Sequence, residues 1–137
     1  MTELQDQLAS VPLLAGLDQR VRRRLAEVGK PRTYATGAVI VKEGSTGTAL
    51  YVILRGRVRV ERDGQAVGEL KPNDFFGELS LIEDEPRSAS VLAAEETECL
   101  LFPAWEFRAL LDEHPQIAVP IMKALIGRLH RLERHRS

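Results

Sequence analysis

Glu78 and Arg87 lie nine residues apart in a segment that runs Phe75-Phe76-Gly77-Glu78-Leu79-Ser80-Leu81-Ile82-Glu83-Asp84-Glu85-Pro86-Arg87-Ser88-Ala89-Ser90-Val91. Their types and spacing suit the recognition of a phosphorylated sugar. Gly77 permits a close approach of the backbone, and a helical turn starting at Glu78 would leave several N–H groups without intrahelical partners, ready to attract an anion. Pro86 then fixes an extended lead into Arg87, whose planar fork of donors matches phosphate oxygens in bidentate fashion. Ser88 and Ala89 are small enough for their own amides to reach the same oxygens. A carboxylate beside a phosphate needs another partner, and for Glu78 a sugar hydroxyl, which can donate to it, is the natural one. Phosphate and ribose together imply a nucleotide. The competing reading is an ion pair between Glu78 and Arg87 that merely pins a loop, and either pair of residues taken alone leaves both readings open.

The elements that must position this segment are mostly strands. From Lys30 onward the chain shows period-two alternation or short apolar runs punctuated by turn residues. Val39-Ile40-Val41 leads into Glu43-Gly44-Ser45-Thr46-Gly47, and Leu50 to Leu54 leads into Arg55-Gly56. Val58 and Val60 alternate with Arg57, Arg59 and Glu61. Asp63-Gly64 marks a hairpin that returns through Val67 and Leu70. A final run is read from Ser90 to Phe102, ending at Pro103. Seven or eight short strands in about 75 residues suit a jelly roll or compact barrel and leave little room for parallel crossovers.

Helical signals flank this β region. Thr2 to Gln5 has the spacing of a capping box and predicts a short opening helix ending near Ser10. Asp18 is placed to cap a second helix whose inner face carries Val21, Leu25 and Val28, with Gly29 as its stop. The four arginines of that helix, Arg20, Arg22, Arg23 and Arg24, read as a solvated face rather than a nucleic-acid surface. After Pro103, Trp105, Leu110 and Leu111 predict a short helix packed onto the β region by Trp105. In the terminal stretch Ala118, Met122, Leu125, Leu129 and Leu132 form a narrow apolar seam, able to pair with a second helix or to rest on the chain's own barrel. Pro120 requires that this helix begin near it or bend there. The basic residues Lys123, Arg128, Arg131, Arg134 and Arg136 are read as serving solubility.

The 137 residues fit one domain, organised as a helical segment over 1–29, strands over 30–103 and helices over 104–137. Lys plus Arg number 19 against 20 Asp plus Glu, a net charge of -1 that argues against a surface built throughout for nucleic acid. Apolar residues make up 44% and charged residues 28%, within the range of soluble globular proteins. Cys99 is the only cysteine, so no intrachain disulfide can form, and in its apolar run it is read as a buried structural thiol. With no signal peptide or membrane-length apolar run, a cytoplasmic location is expected. A metal-dependent barrel enzyme of the cupin type needs histidines and carboxylates converging from strands, whereas His114, His130 and His135 all fall in the helical tail. No metal site, cofactor or enzymatic activity is expected.

Phe76-Gly77-Glu78-Leu79-Ser80-Leu81, five intervening residues, and then Arg87-Ser88-Ala89-Ser90-Val91-Leu92-Ala93 resemble the phosphate-binding cassette of the cyclic nucleotide-binding domain family. That family is found in bacterial catabolite activator proteins, protein kinase regulatory subunits and nucleotide-gated channels. A second signature runs from Ile40-Val41 through Gly44, Gly47, Leu50-Tyr51-Val52-Ile53 and Gly56, departing only at Ser45, where an acidic or amide residue is usual. The resemblance spans essentially the whole chain. It implies an eight-stranded, jelly-roll-like β-roll with N-terminal helices, a short cassette helix and a long C-terminal helix.

By the same resemblance, Glu78 would hold the ribose 2′-hydroxyl and Arg87 the cyclic phosphate. The backbones of Gly77, Leu79, Ser88 and Ala89 would complete a pocket that also includes Phe76 and Ser80. Leu132 and Glu133 align near the positions that cap or hydrogen-bond the purine in several members, though they are not the Thr-Ser pair of the bacterial activators. The implied ligand is cAMP, with cGMP as the alternative, since Ser88 follows the arginine in binders of both. The implied function is a regulatory sensor that signals through its C-terminal helix, along which a homodimer could form, to an unknown effector. Two alternatives accompany it. One is a degenerate module that binds a protein and no nucleotide. The other is the sensor part of a catabolite-activator-type regulator lacking its DNA-binding domain, a reading against which stands that no helix-turn-helix follows the terminal helix before Ser137.

Overall fold

Asp18 caps the helix that the sequence assigns to it: its carboxylate accepts a hydrogen bond from the Val21 amide at 2.9 Å, and the Gly29 amide closes the far end on the Leu25 carbonyl. The computed structural model describes residues 12–46, 49–77 and 86–136, with side chains described between Leu14 and Arg131. The capping-box helix expected before Ser10 and the short cassette helix lie outside these residues. In chain order the elements are α1 (Pro12–Ala15), α2 (Gln19–Val28), eight strands, α3 (Ala104–Glu113), a 3-10 turn (Pro115–Ile117) and α4 (Ala118–Arg136). The strands are β1 (Lys30–Tyr34), β2 (Val39–Val41), β3 (Ala49–Arg55), β4 (Val58–Arg62), β5 (Gln65–Leu70), β6 (Phe75–Phe76), β7 (Ser90–Ala93) and β8 (Thr97–Pro103).

Two antiparallel four-stranded sheets result, ordered β1-β8-β3-β6 and β2-β7-β4-β5. The run read as one strand from Ser90 to Phe102 is in fact two, and they belong to different sheets. The chain turns at Ala94 to Glu96, where the Ala94 amide donates to the Arg57 carbonyl. Fully buried Thr97 then holds the corner: its hydroxyl accepts from the Arg57 amide at 3.2 Å and lies within donating distance of the Arg57 and Glu95 carbonyls. The β4–β5 hairpin turns at Asp63-Gly64, both with positive φ, which is the geometry those residue types favour.

Strand β3 is buried on both faces, and its alternation divides the core. Leu50, Val52 and Leu54 face the helices together with Phe75, Leu100 and Phe102, packing against Leu14, Val21, Leu25, Phe107, Leu110, Ile117 and Ile121. Tyr51 and Ile53 face the second sheet with Phe76, Cys99, Val41, Val58 and Val91. Phe75 and Phe76 therefore anchor β6 in opposite layers, and Gly77 follows directly.

Two helical expectations need correction. Trp105 is 66% exposed, and it is Ala104, Phe107 and Leu110 that seat α3, with Phe107 edge-on to Phe102 at 5.4 Å. In α4 the face toward the core carries Ile121, Ala124 and Leu125, continuing from Ile117. Met122 and Leu129 of the expected seam are exposed, and with Val119 and Ile126 they form an outward apolar stripe. Pro120 falls in the first turn, where a missing amide costs no helical bond.

Candidate cyclic nucleotide site

Gly77 has φ +84° and lies so close to β3 that a Cβ there would stand 2.5 Å from the Ala49 carbonyl oxygen and 2.9 Å from Arg87 Nη1. Only glycine meets both conditions. The approach is enforced from beneath: β6 pairs with β3 through Tyr51↔Phe76 and Val52↔Phe75, and the Tyr51 and Phe76 rings stack at 4.8 Å with 5° between planes. Burial raises the pKa of Tyr51, while the nearby Arg87 guanidinium acts in the opposite direction.

Arg87 reaches the same carbonyl as Gly77, its Nη2 donating to Ala49 O at 3.2 Å. Its backbone is held by a reciprocal pair of bonds with the β2–β3 loop: the Arg87 amide donates to Ser45 O and the Gly44 amide to Arg87 O, each at 2.8 Å. Two further contacts fix the residues that follow. Arg62 Nε donates to Ser88 O at 3.2 Å, and Ser90 Oγ accepts from the Glu43 amide at 2.9 Å. Glu43 in turn accepts from the Asp63 amide at 3.0 Å, tying the hairpin tip to the same loop. Among the described residues, no backbone acceptor takes the amides of Ser88 or Ala89.

Five of the ten residues singled out in the sequence, Phe76, Gly77, Arg87, Ser88 and Ala89, are thus described, and Gly77 and Arg87 meet at Ala49. Glu78, Leu79 and Ser80 lie outside the described residues. Leu132 and Glu133 belong to α4, but their side chains are not among those described. Sequence reasoning missed Arg128, assigned only to solubility. Its Nη2 donates to the Phe75 carbonyl at 2.5 Å, and its guanidinium carbon lies 4.2 Å from the Phe75 ring centroid. The signal was present in the spacing, since 117, 121, 124 and 128 share one helical face.

Residues 31–114 match the family profile of the cyclic nucleotide-binding domain. The chain belongs to the cyclic nucleotide-binding domain family. Domains of this family regulate rather than catalyse. A cyclic nucleotide-gated potassium channel of Rhizobium etli is 37% identical over 121 residues, covering 88% of this chain and 34% of the channel. A cAMP-dependent protein kinase regulatory subunit of Dictyostelium discoideum is 33% identical over 111 residues, 75% of this chain and 34% of that protein. The chain therefore spans about a third of the length of these curated relatives. Among solved structures, the catabolite activator protein of Thermus thermophilus superposes with a TM-score of 0.81 at 32% identity, over 90% of this chain and 61% of that one. The paired four-stranded sheets with flanking helices are the β-roll that the sequence resemblance implies. Among the described residues, no group of three or more His, Cys, Asp and Glu side chains could hold a metal ion, and no helix is long and apolar enough to cross a membrane.

Proposed function

We propose that this chain is a single regulatory domain, without catalytic activity of its own, that binds a cyclic nucleotide, cAMP before cGMP. The observation that carries the reading is the meeting of Gly77 and Arg87 at the Ala49 carbonyl, which sets a planar guanidinium beside a left-handed glycine. In this reading Arg87 binds the cyclic phosphate with the amides of Gly77, Leu79, Ser88 and Ala89, and Glu78 accepts from the ribose 2′-hydroxyl. Phe76 and Ser80 line the same cassette. Leu132 stacks on the base, with Glu133 beside it. A Dictyostelium relative that is a cAMP-dependent kinase regulatory subunit supports adenine over guanine. Arg87→Ala should lose about 2 to 5 kcal/mol of cAMP binding, because truncation removes one partner of a buried charged contact. Arg87→Lys should not restore it, since an ammonium lacks the fork. Unchanged affinity in Arg87→Ala would reject the site.

The output element in this reading is α4, working on an effector in the cytoplasm. Occupancy can move the helix only through different affinities for its two arrangements, so saturation with cAMP should alter hydrogen exchange over residues 116–131. The outward stripe Val119, Met122, Ile126 and Leu129 has 3-4-3 spacing and favours a homodimer along α4. Leu129→Asp should then sediment as a monomer where the parent chain does not. Identical sedimentation of the two would favour a helix that acts within one chain.

A further inference from the structure

Arg128 lies beyond residues 31–114 that match the family profile, yet it touches the residue two before Gly77, 53 positions earlier in the chain. One guanidinium engages Phe75 twice, through a hydrogen bond to its carbonyl and through the face of its ring. A donor that is charged makes the stronger kind of hydrogen bond, and a cation over an aromatic face adds to it where water is partly excluded. The strand it holds is otherwise seated by its two rings, Phe75 in the helical layer and Phe76 on Tyr51. β6 is two residues long, forms the edge of its sheet, and is paired only with β3 among the described strands. Gly77, immediately after it, stands where a shift toward β3 meets the Ala49 carbonyl and a shift away separates it from Arg87. The position of β6 therefore decides whether Gly77 meets Arg87.

We propose that Arg128 is a positioning residue for the nucleotide site: from α4 it fixes Phe75, and through β6 it holds Gly77 where it meets Ala49 and Arg87. This rests on the reading of the cassette as a cyclic nucleotide site. Arg128 adds a polar contact between α4 and the strand leading into the cassette to the apolar packing of Ile121, Ala124 and Leu125, which share a layer with Phe75. Docking of α4 and occupancy of the site then support one another, and by linkage each strengthens the other equally.

The test compares the full chain with Arg128→Met, Arg128→Lys and Ile121→Val. The last variant loosens the seat of α4 and leaves the Arg128 guanidinium and its two contacts with Phe75 in place. Three quantities are read: the Kd for cAMP, the melting temperature, and hydrogen exchange at Phe76 and Gly77 without nucleotide. Arg128→Met should weaken cAMP binding about 5- to 30-fold, the loss expected from one charged hydrogen bond and its ring contact. It should also speed exchange at Phe76 and Gly77, and Arg128→Lys should recover part of both. Ile121→Val should lower the melting temperature while weakening cAMP binding less than Arg128→Met does, with exchange at Phe76 and Gly77 at the parent rate. The proposal is overturned if Arg128→Met binds cAMP as tightly as the parent or more tightly, if exchange at Phe76 and Gly77 is unchanged, or if Ile121→Val weakens binding as much. Should the parent chain bind no cyclic nucleotide, the cassette reading fails by itself, and the exchange comparison still decides whether Arg128 fixes β6.

Discussion

Alanine at Gly77 should cost far more than alanine at Gly64, although the two glycines hold almost the same backbone angle, φ +84° and +78°. Both substitutions incur the left-handed penalty of a side chain, about 1 to 2 kcal/mol. At Gly64 nothing lies within 4 Å of the new Cβ, so that penalty is the whole effect. At Gly77 the new Cβ would meet Ala49 O at 2.5 Å and Arg87 Nη1 at 2.9 Å. The guanidinium can rotate away, but the carbonyl belongs to β3, whose Ala49 is paired with Pro103 in the sheet. Relief therefore requires a backbone shift, and forced packing of this kind adds about 1 to 3 kcal/mol. Urea denaturation of both variants, compared at equal m-values, measures the difference directly. Gly77→Ala should be the less stable of the two by about 1 to 3 kcal/mol, and should also weaken cAMP binding because Arg87 must leave Ala49. Stabilities agreeing within about 0.5 kcal/mol, the scatter of ordinary surface substitutions, would refute the close approach at Gly77.

Thr97→Val should cost about 0.5 to 1.5 kcal/mol in denaturant, since it removes the hydroxyl that accepts from the Arg57 amide and lies beside the Glu95 carbonyl, and Thr97→Ser should recover most of the loss. Burial, with a smaller push from Glu98, raises the Cys99 thiol to about 12, so native protein at pH 8 should react slowly with a thiol reagent and rapidly once unfolded. Burial raises Tyr34 and Tyr51 as well. For all three groups the unfolded chain releases its proton first. Their contribution to stability should be constant below about pH 9 and should decline as pH rises toward 12, as a melting series in that window would record. A flat profile from pH 9 upward would contradict their burial.

What could be read in the sequence was whatever local chemistry fixes. Asp18 and Gly29 bound a helix because a side-chain acceptor and a glycine act on adjacent backbone, and Asp63-Gly64 turns a hairpin because both residues tolerate positive φ. The β7–β8 corner was hidden, because Ala94-Glu95-Glu96 contains no glycine or proline and the break depends on Thr97 meeting Arg57, 40 residues away. The phase of α4 was hidden for another reason. Apolar residues surround it, so Ile121 and Met122 compete for the inner face, and only contact with Ile117, α1 and the sheet decides. Trp105 was misread likewise, its bulk suggesting burial while Phe107 occupies the inward position. At the site, the types and order of Gly77, Arg87, Ser88 and Ala89 were legible as a cassette. The convergence of Gly77 and Arg87 on Ala49, and of Arg128 on Phe75, depends on strand pairing that no local pattern records.

The most direct test of the nucleotide site is a calorimetric titration of this chain with cAMP, run beside cGMP and 5′-AMP and repeated on Arg87→Ala. The account predicts saturable binding of cAMP, weaker binding of cGMP, and weaker binding still of 5′-AMP, whose phosphate is not closed onto the sugar. In Arg87→Ala the affinity for cAMP should fall about 30-fold or more, the factor that corresponds to losing at least 2 kcal/mol. No binding of either cyclic nucleotide by the parent chain, or equal binding by Arg87→Ala, would contradict it.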